Sequence, residues 1–275
     1  MVPMNTQVSY SIGSKNETSS LVGSLSLEND SCGVVEGNLK IASEIGIILP
    51  TYCEAANIER LVNEIENLDM NVSLLVIDDS SPDGSADIVR KLQRKYNNIL
   101  LLVRSKKMGL GTAITDGFKS LLSLVNPPEY IVTMDADYSH NPKDVPHVVS
   151  AAKEGKGLAI GSRYCKGGRI INWSLFRLVT SRIANLVASS VVGAKIHDYT
   201  SGLRCYSATL VKAIVNDLHS QTYEIQIETI RQACKREFNI KEVPITFINR
   251  KKGKSKLTPN EIREFISYIL NLVHC

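Results

Sequence analysis

Tyr130-Ile131-Val132-Thr133-Met134-Asp135-Ala136-Asp137 is a short β-rich run that ends on two carboxylates at alternate residues. Two acidic groups at the end of a strand suit a divalent cation. A cation held there would neutralise a diphosphate, the usual leaving group of a nucleotide-activated donor. One D-x-D is weak alone, because acidic pairs are common on solvated loops. It gains force from polar motifs that follow other expected strands: Pro50-Thr-Tyr-Cys-Glu54, Asp78-Asp-Ser-Ser-Pro-Asp-Gly84 and Ser162-Arg163-Tyr164.

Outward from this run, short β-rich segments alternate with helical ones. Residues 45–49, 74–77, 99–103, 130–134 and 158–161 read as strands, and helices fit near 55–68, 84–96, 110–124 and 143–154. Strands alternating with helices imply βαβ units and an α/β fold, a doubly wound, mainly parallel sheet with flanking helices. Ligands of such sheets sit outside the carboxyl ends of the strands, where these motifs fall.

The chain has 275 residues, 43% hydrophobic and 22% charged, with a net charge of +4. This is globular composition, and so mild a charge does not argue for nucleic acid. Six widely spaced cysteines without a CxxC or His-Cys pattern fit free thiols in a reducing compartment. Residues 1–43 lack a basic segment followed by an apolar one and are rich in Ser, Asn and Gly, which predicts a disordered tail rather than a signal peptide. No uninterrupted apolar run reaches the roughly 20 residues that span a bilayer. The longest, 183–194, is broken by Asn185, Ser189 and Ser190.

The second half changes character. Within 173–193, Arg177, Ser181 and Asn185 recur every four residues on one helical face, among apolar residues such as Leu175, Phe176, Val179 and Ile183. Two readings fit: a core helix with a satisfied polar seam, or a pair of short helices lying on a membrane with the seam aimed at a site. Residues 258–275 form the clearest amphipathic helix. Thr258-Pro259-Asn260-Glu261 supplies cap, first-turn proline and capping-box acid, and Ile262, Phe265, Ile266, Ile269, Leu270 and Val273 make the stripe. Between these segments Arg250, Lys251, Lys252, Lys254 and Lys256 form a basic loop.

Asp137 is the first choice for a metal ligand, with Asp135 binding metal, ribose or sugar. Asp78 and Asp79 could grip a base or ribose through charge-assisted hydrogen bonds, or cap their own turn. Lys107-Met-Gly109-Leu-Gly111 brings glycines to a helix start, where backbone can approach a phosphate.

In order and spacing, these words resemble the polyprenyl (dolichyl) phosphate mannosyltransferases of the inverting glycosyltransferase-A superfamily. The resemblance is carried by Leu49-Pro-Thr-Tyr-Cys-Glu54, Ile77-Asp-Asp-Ser-Ser-Pro-Asp-Gly84, Lys107-Met-Gly-Leu-Gly-Thr-Ala113 and Met134-Asp-Ala-Asp-Tyr-Ser-His140. It continues through Gly161-Ser-Arg-Tyr164, Asp198-Tyr-Thr-Ser-Gly-Leu-Arg204, Glu242-Val-Pro-Ile-Thr-Phe247 and Arg250-Lys-Lys-Gly-Lys-Ser-Lys-Leu257. It covers about residues 44–272: a catalytic domain over 44–257, with interface helices near 172–193, then the C-terminal helix.

The resemblance implies GDP-mannose as donor, a polyprenyl or dolichyl phosphate as acceptor, a β-linked product formed by inversion, and Mg²⁺ or Mn²⁺ as cofactor. Pro50, Tyr52, Glu54, Asp79, Lys107, Asp135 and Lys256 would bind the donor, and Asp135 and Asp137 would hold the metal and diphosphate. Arg163, Arg177 and Ser181 would receive the acceptor phosphate, and Arg250 would close over the donor. An acceptor phosphate is already anionic near neutral pH, so no histidine base is required. The implied partners are a membrane surface and small membrane-spanning subunits; the implied place is peripheral, on the cytoplasmic face of the endoplasmic reticulum or, in a prokaryote, the plasma membrane. Cys53 stands where the family commonly has Asn, and Ser139 where many relatives have Gln. A UDP-glucose-dependent glucosyltransferase on the same lipid class, a polysaccharide synthase and a non-catalytic nucleotide-sugar sensor are the competing readings. The synthase usually carries a Gln-x-x-Arg-Trp word, absent beside the lone Trp173.

Overall fold

The computed structural model describes residues 33–249 and Tyr268. Arg250, Lys256 and the rest of the basic loop and C-terminal helix lie outside the described residues. Only Tyr268 is described there; it is helical and packs half-buried against the core.

An eight-stranded sheet is the frame. Its strands are β1 (Val35–Glu36), β2 (Ile45–Thr51), β3 (Val72–Asp78), β4 (Ile99–Val103), β5 (Tyr130–Thr133), β6 (Leu158–Ser162), β8 (Arg204–Ser207) and β9 (Ile240–Pro244). A separate two-stranded ribbon joins β7 (Arg169–Ile171) to β10 (Thr246–Ile248). The order β1-β4-β3-β2-β5-β8-β6-β9 is parallel except at β1 and β8, which run against their neighbours. The sheet is therefore mixed but mainly parallel, as expected.

The central strands are apolar on both faces because both faces are covered. Ile47, Leu49, Leu74 and Val76 pack under α1 (Ile58–Glu66), α2 (Ser85–Lys95) and α4 (Val145–Gly155). The alternate residues Ile48, Leu75 and Ile77 pack under α3 (Leu110–Leu122), α6 (Ala208–Ile214) and α7 (Ile225–Lys235). From β2 the chain winds outward to β3 and β4, then crosses back to place β5 on the other side of β2. The crevice outside the carboxyl ends of β2 and β5 is thus the switch point of the sheet.

Two expectations change. Residues 33–43 belong to the fold rather than to a disordered tail. Val35 is buried and pairs with Leu102, and Arg90 clasps Glu36 through two hydrogen bonds of 2.8 and 2.9 Å. The stretch 173–193 is one continuous helix, α5 (Leu175–Val192), not a pair of short ones. Ser174 caps its start by accepting from the Arg177 N–H, and Gly193, at φ 72°, ends it in the left-handed conformation. By length and composition α5 is long and apolar enough to cross a membrane. It is not a core helix, since Leu175 and Phe176 are each 81% exposed and Leu186 is 72% exposed.

Candidate active site

At the switch point the first strand-end loop is stitched to the second. The Cys53 N–H donates to Ser81 Oγ at 2.9 Å, Glu54 N–H to Ser85 Oγ at 3.0 Å and Ala55 N–H to Asp83 Oδ2 at 2.9 Å. Cys53 pays for this geometry with a left-handed backbone, φ 56°. Asparagine tolerates that region better than cysteine does. Cys53→Asn is expected to raise stability by about 0.5–1 kcal/mol without lowering activity. A urea melt checks this; a lower midpoint would contradict it. Glu54 is buried and accepts from Asn57 Nδ2 at 2.7 Å.

The acidic pair at the end of β3 divides its duties. Asp78 is buried, and its Oδ2 accepts from the Ser81 N–H at 2.8 Å, so the turn-capping reading holds for this residue; its Oδ1 has no hydrogen-bond partner. Asp79 Oδ1 pairs with Arg104 Nε at 2.5 Å, and its Oδ2 accepts from the Met108 N–H at 3.1 Å. Arg104, which nothing in the sequence singles out, is fully buried. It also donates to Thr112 Oγ1, Asp116 Oδ2 and the Gly109 carbonyl at 2.8, 3.2 and 3.0 Å. Asp79 therefore acts first on the protein, fixing the 104–109 loop. That loop carries Lys107 to 5.0 Å above the Tyr52 ring.

Gly109 and Gly111 serve a different purpose from the one expected. A Cβ on either would stand 2.4 or 2.3 Å from the Gln221 or Ser220 carbonyl oxygen. The Gly111 and Thr112 N–H groups at the start of α3 donate to Gln221 O. This helix start is closed by the chain's own backbone, so the expected phosphate approach gives way to loop packing.

Asp135 and Asp137 follow β5 directly. Ser139 holds Asp137 Oδ1 through its N–H at 3.0 Å and its hydroxyl at 2.5 Å. Ser139 thus orients the Asp137 carboxylate. Gly202 makes room for Asp135, because a Cβ there would lie 2.9 Å from Asp135 Oδ1. The Thr133 hydroxyl donates to the Gly202 carbonyl at 3.0 Å and fixes that approach. His140 is fully buried, edge-on to Phe247, with Nδ1 3.5 Å from Asp135 Oδ2, outside hydrogen-bond geometry. Burial pushes its imidazole below the usual value against the pull of Asp135 and Asp137.

Among the described residues no group of three or more His, Cys, Asp or Glu side chains is gathered for a metal. Two carboxylates alone fit a hard cation that completes its shell with water and substrate phosphates, as Mg²⁺ and Mn²⁺ do.

Beyond Asp135 lies a basic, aromatic quarter. Arg163 is buried and grips both oxygens of Asp198 at 2.7 Å, and donates to Thr200 Oγ1 at 2.6 Å. Burial alone would raise the Asp198 pKa, but the Arg163 charge and hydrogen bonds outweigh it and hold the carboxyl below its usual value. The Arg163 charge is thereby matched within the protein, and its part at the site is to hold the 198–200 turn. Arg177 lies 4.1 Å above the Trp173 ring and donates to Asn249 Oδ1 at 2.8 Å. Ser181 Oγ meets the Tyr164 hydroxyl at 2.7 Å, and Arg182 covers the Tyr164 ring at 4.0 Å. Asn185 is buried, accepting from the Tyr199 N–H at 2.6 Å. The polar seam of α5 therefore faces the protein together with Ala188, while Leu175, Phe176, Val179, Ile183 and Leu186 face out. Asn249 and Arg104 were missed because their partners, Arg177 and Asp79, lie 72 and 25 residues away in sequence.

This architecture and strand-end site define a glycosyltransferase of the GT-A type. The chain belongs to Glycosyl transferase family 2, whose model matches residues 46–215. It is 37% identical over 220 residues to the polyprenol monophosphomannose synthase of Mycolicibacterium smegmatis, covering 79% of this chain and 82% of that protein. It is 32% identical over 234 residues to the dolichol-phosphate mannosyltransferase of Pyrococcus furiosus, covering 84% of this chain and 64% of the relative's length. In fold it matches glucosyl-3-phosphoglycerate synthase from Mycobacterium tuberculosis, solved with Mn²⁺, UDP and glucosyl-3-phosphoglycerate, at TM-score 0.60, 18% identity and 86% and 81% coverage of the two chains. A mannosyltransferase from Pyrobaculum calidifontis with GDP-Man and Mn²⁺ matches at TM-score 0.56, 15% identity, covering 85% of this chain and 66% of that one.

Proposed function

We propose that this enzyme transfers mannose from GDP-mannose to a polyprenyl or dolichyl phosphate, with inversion, giving a β-linked lipid phosphate mannose. The observation that carries this reading is α5, which turns Arg177, Ser181 and Asn185 towards the site while leaving Leu175, Phe176 and Leu186 exposed. One helix thus offers a cation and a hydroxyl to a phosphate and an apolar face to a lipid tail. The chain's likeness to a polyprenol monophosphomannose synthase and a dolichol-phosphate mannosyltransferase supports mannose transfer to a lipid of that class.

In this reading Pro50, Tyr52, Glu54 and Lys107 line the donor side, with Asp79 holding the Lys107 loop in place. Asp135 and Asp137 would hold a divalent cation, which would supply charge neutralisation for a diphosphate. Arg177 and Ser181 receive the acceptor phosphate, with Arg163 bracing the turn behind them. Arg250 and Lys256 act on the donor phosphates. The acceptor oxygen attacks as an anion, so the residues' task is to hold two anionic substrates together rather than to remove a proton.

Purified protein with Mn²⁺, a polyprenyl phosphate and either radiolabelled GDP-mannose or UDP-glucose tests the donor. Label should enter lipid from GDP-mannose; incorporation from UDP-glucose alone would replace the reading with the glucosyl one.

The exposed face of α5 is expected to lie on the cytoplasmic surface of a membrane. Leu175→Asp or Phe176→Asp should reduce vesicle binding and cut activity on membrane-embedded acceptor about tenfold, while sparing a short soluble analogue. Equal losses on both acceptors with a lowered melting temperature would contradict it.

A further inference from the structure

We propose that His140 is a positioning residue of the acidic pair, its ring N–H serving to hold the Asp135 carboxylate on a bound divalent cation. The inference rests on the assignment of Asp135 to that cation. An imidazole carries at least one N–H in either protonation state, and a buried donor without an acceptor is costly. His140 is 1% exposed, and neither ring nitrogen has a hydrogen-bond partner. The Asp135 carboxylate stands next to it, with Oδ2 3.5 Å from Nδ1. A movement of about 0.5 Å would bring the two within hydrogen-bond distance.

The surroundings give the ring no other polar task. Phe247 meets it edge-on, with centroids 5.0 Å apart, and Trp173 backs Phe247 at 5.3 Å. An apolar side chain would fill such a place without burying an orphaned donor. The Asp135 side chain is 35% exposed, so a ligand can reach it while His140 stays covered. Asp137 has its own donor residue in Ser139, whose N–H and hydroxyl both donate to Oδ1. Each carboxylate of the pair thus has a donor residue beside it, and the two donors are adjacent in sequence. Outer donors of this kind orient metal-binding carboxylates, and losing one weakens metal binding by about 10–100-fold.

The test is Mn²⁺ binding to the full chain with GDP or UDP, whichever the parent binds, read by electron paramagnetic resonance on His140→Leu, His140→Asn and Asp135→Asn. Leucine fills the apolar place without a donor, and the asparagine amide restores one near the position of Nδ1. His140→Leu should weaken Mn²⁺ binding about tenfold, and His140→Asn should stay within about threefold of the parent. The melting temperature of metal-free His140→Leu should equal or exceed the parent's, because the unpaired donor is gone. A lower melting temperature in His140→Leu, whatever its Mn²⁺ affinity, would make the residue structural and overturn the inference. Equal losses of Mn²⁺ affinity in His140→Asn and His140→Leu would also overturn it, since the donor would not be the cause. Parental affinity in His140→Leu beside a weakened Asp135→Asn would remove the inference and leave the acidic pair as the cation site. Asp135→Asn without effect would overturn both.

Discussion

Asp137→Asn is expected to lower turnover about a thousandfold or more while leaving the melting temperature within about 1 °C of the parent. The substitution is nearly isosteric, and Asp137 sits after β5 rather than in either apolar core. Its Oδ1 contacts with Ser139 can be reproduced by an amide oxygen, so the loop should keep its shape. What disappears is one negative charge from the pair that fits a divalent cation. Calorimetric titration of GDP in the presence of Mn²⁺ should therefore show weakened nucleotide binding as well. A variant with near-parental turnover and metal-dependent nucleotide affinity would refute the metal assignment.

The second large effect is on stability. Arg104→Met should cost about 3–5 kcal/mol, because it leaves the buried Asp79 and the partly buried Asp116 without the cation between them. Burial already pushes the Asp116 carboxyl above its usual pKa, so an unpaired Asp116 would take up a proton more readily still. Arg104→Lys should be intermediate. One ammonium cannot span Asp79, Asp116, Thr112 and the Gly109 carbonyl as the guanidinium fork does. Chemical denaturation reads the loss directly. Donor KM, measured below the melting transition, should rise in Arg104→Lys as the Lys107 loop loosens over Tyr52. An Arg104→Met protein as stable as the parent would show that this buried network does not hold the loop.

The central strands were legible because β2, β3 and β4 are buried on both faces and read as continuous apolar runs between turn residues. Strands β8 and β9 were not. Arg204–Ser207 enters the sheet antiparallel between two parallel strands, and Ile240–Pro244 is a half-exposed edge with alternating charge. Neither has a pattern that local periodicity can separate from a loop. The α5 seam was legible as a four-residue repeat. Its continuity was not, since Asn185, Ser189 and Ser190 look like breaks until Asn185 is seen bonding inward to Tyr199. Among the candidate site residues, the place of the acidic pair at the end of β5 could be read from the sequence. Asp79, Arg163 and the glycines of the 107–111 loop could not be read fully. Their first partners, Arg104, Asp198 and the 220–221 backbone, lie 25, 35 and about 110 residues away, and only folding brings them together.

The central claim is that the acceptor is a phosphate that attacks without a protein base, beside a donor diphosphate. It is tested most directly by comparing mannose transfer from GDP-mannose, with Mn²⁺, to a polyprenyl phosphate and to the polyprenol of the same length. The account predicts label in lipid only with the phosphate, in a product that mild acid cleaves to free mannose. Comparable transfer to the alcohol, or release of free mannose with neither lipid labelled, would contradict it.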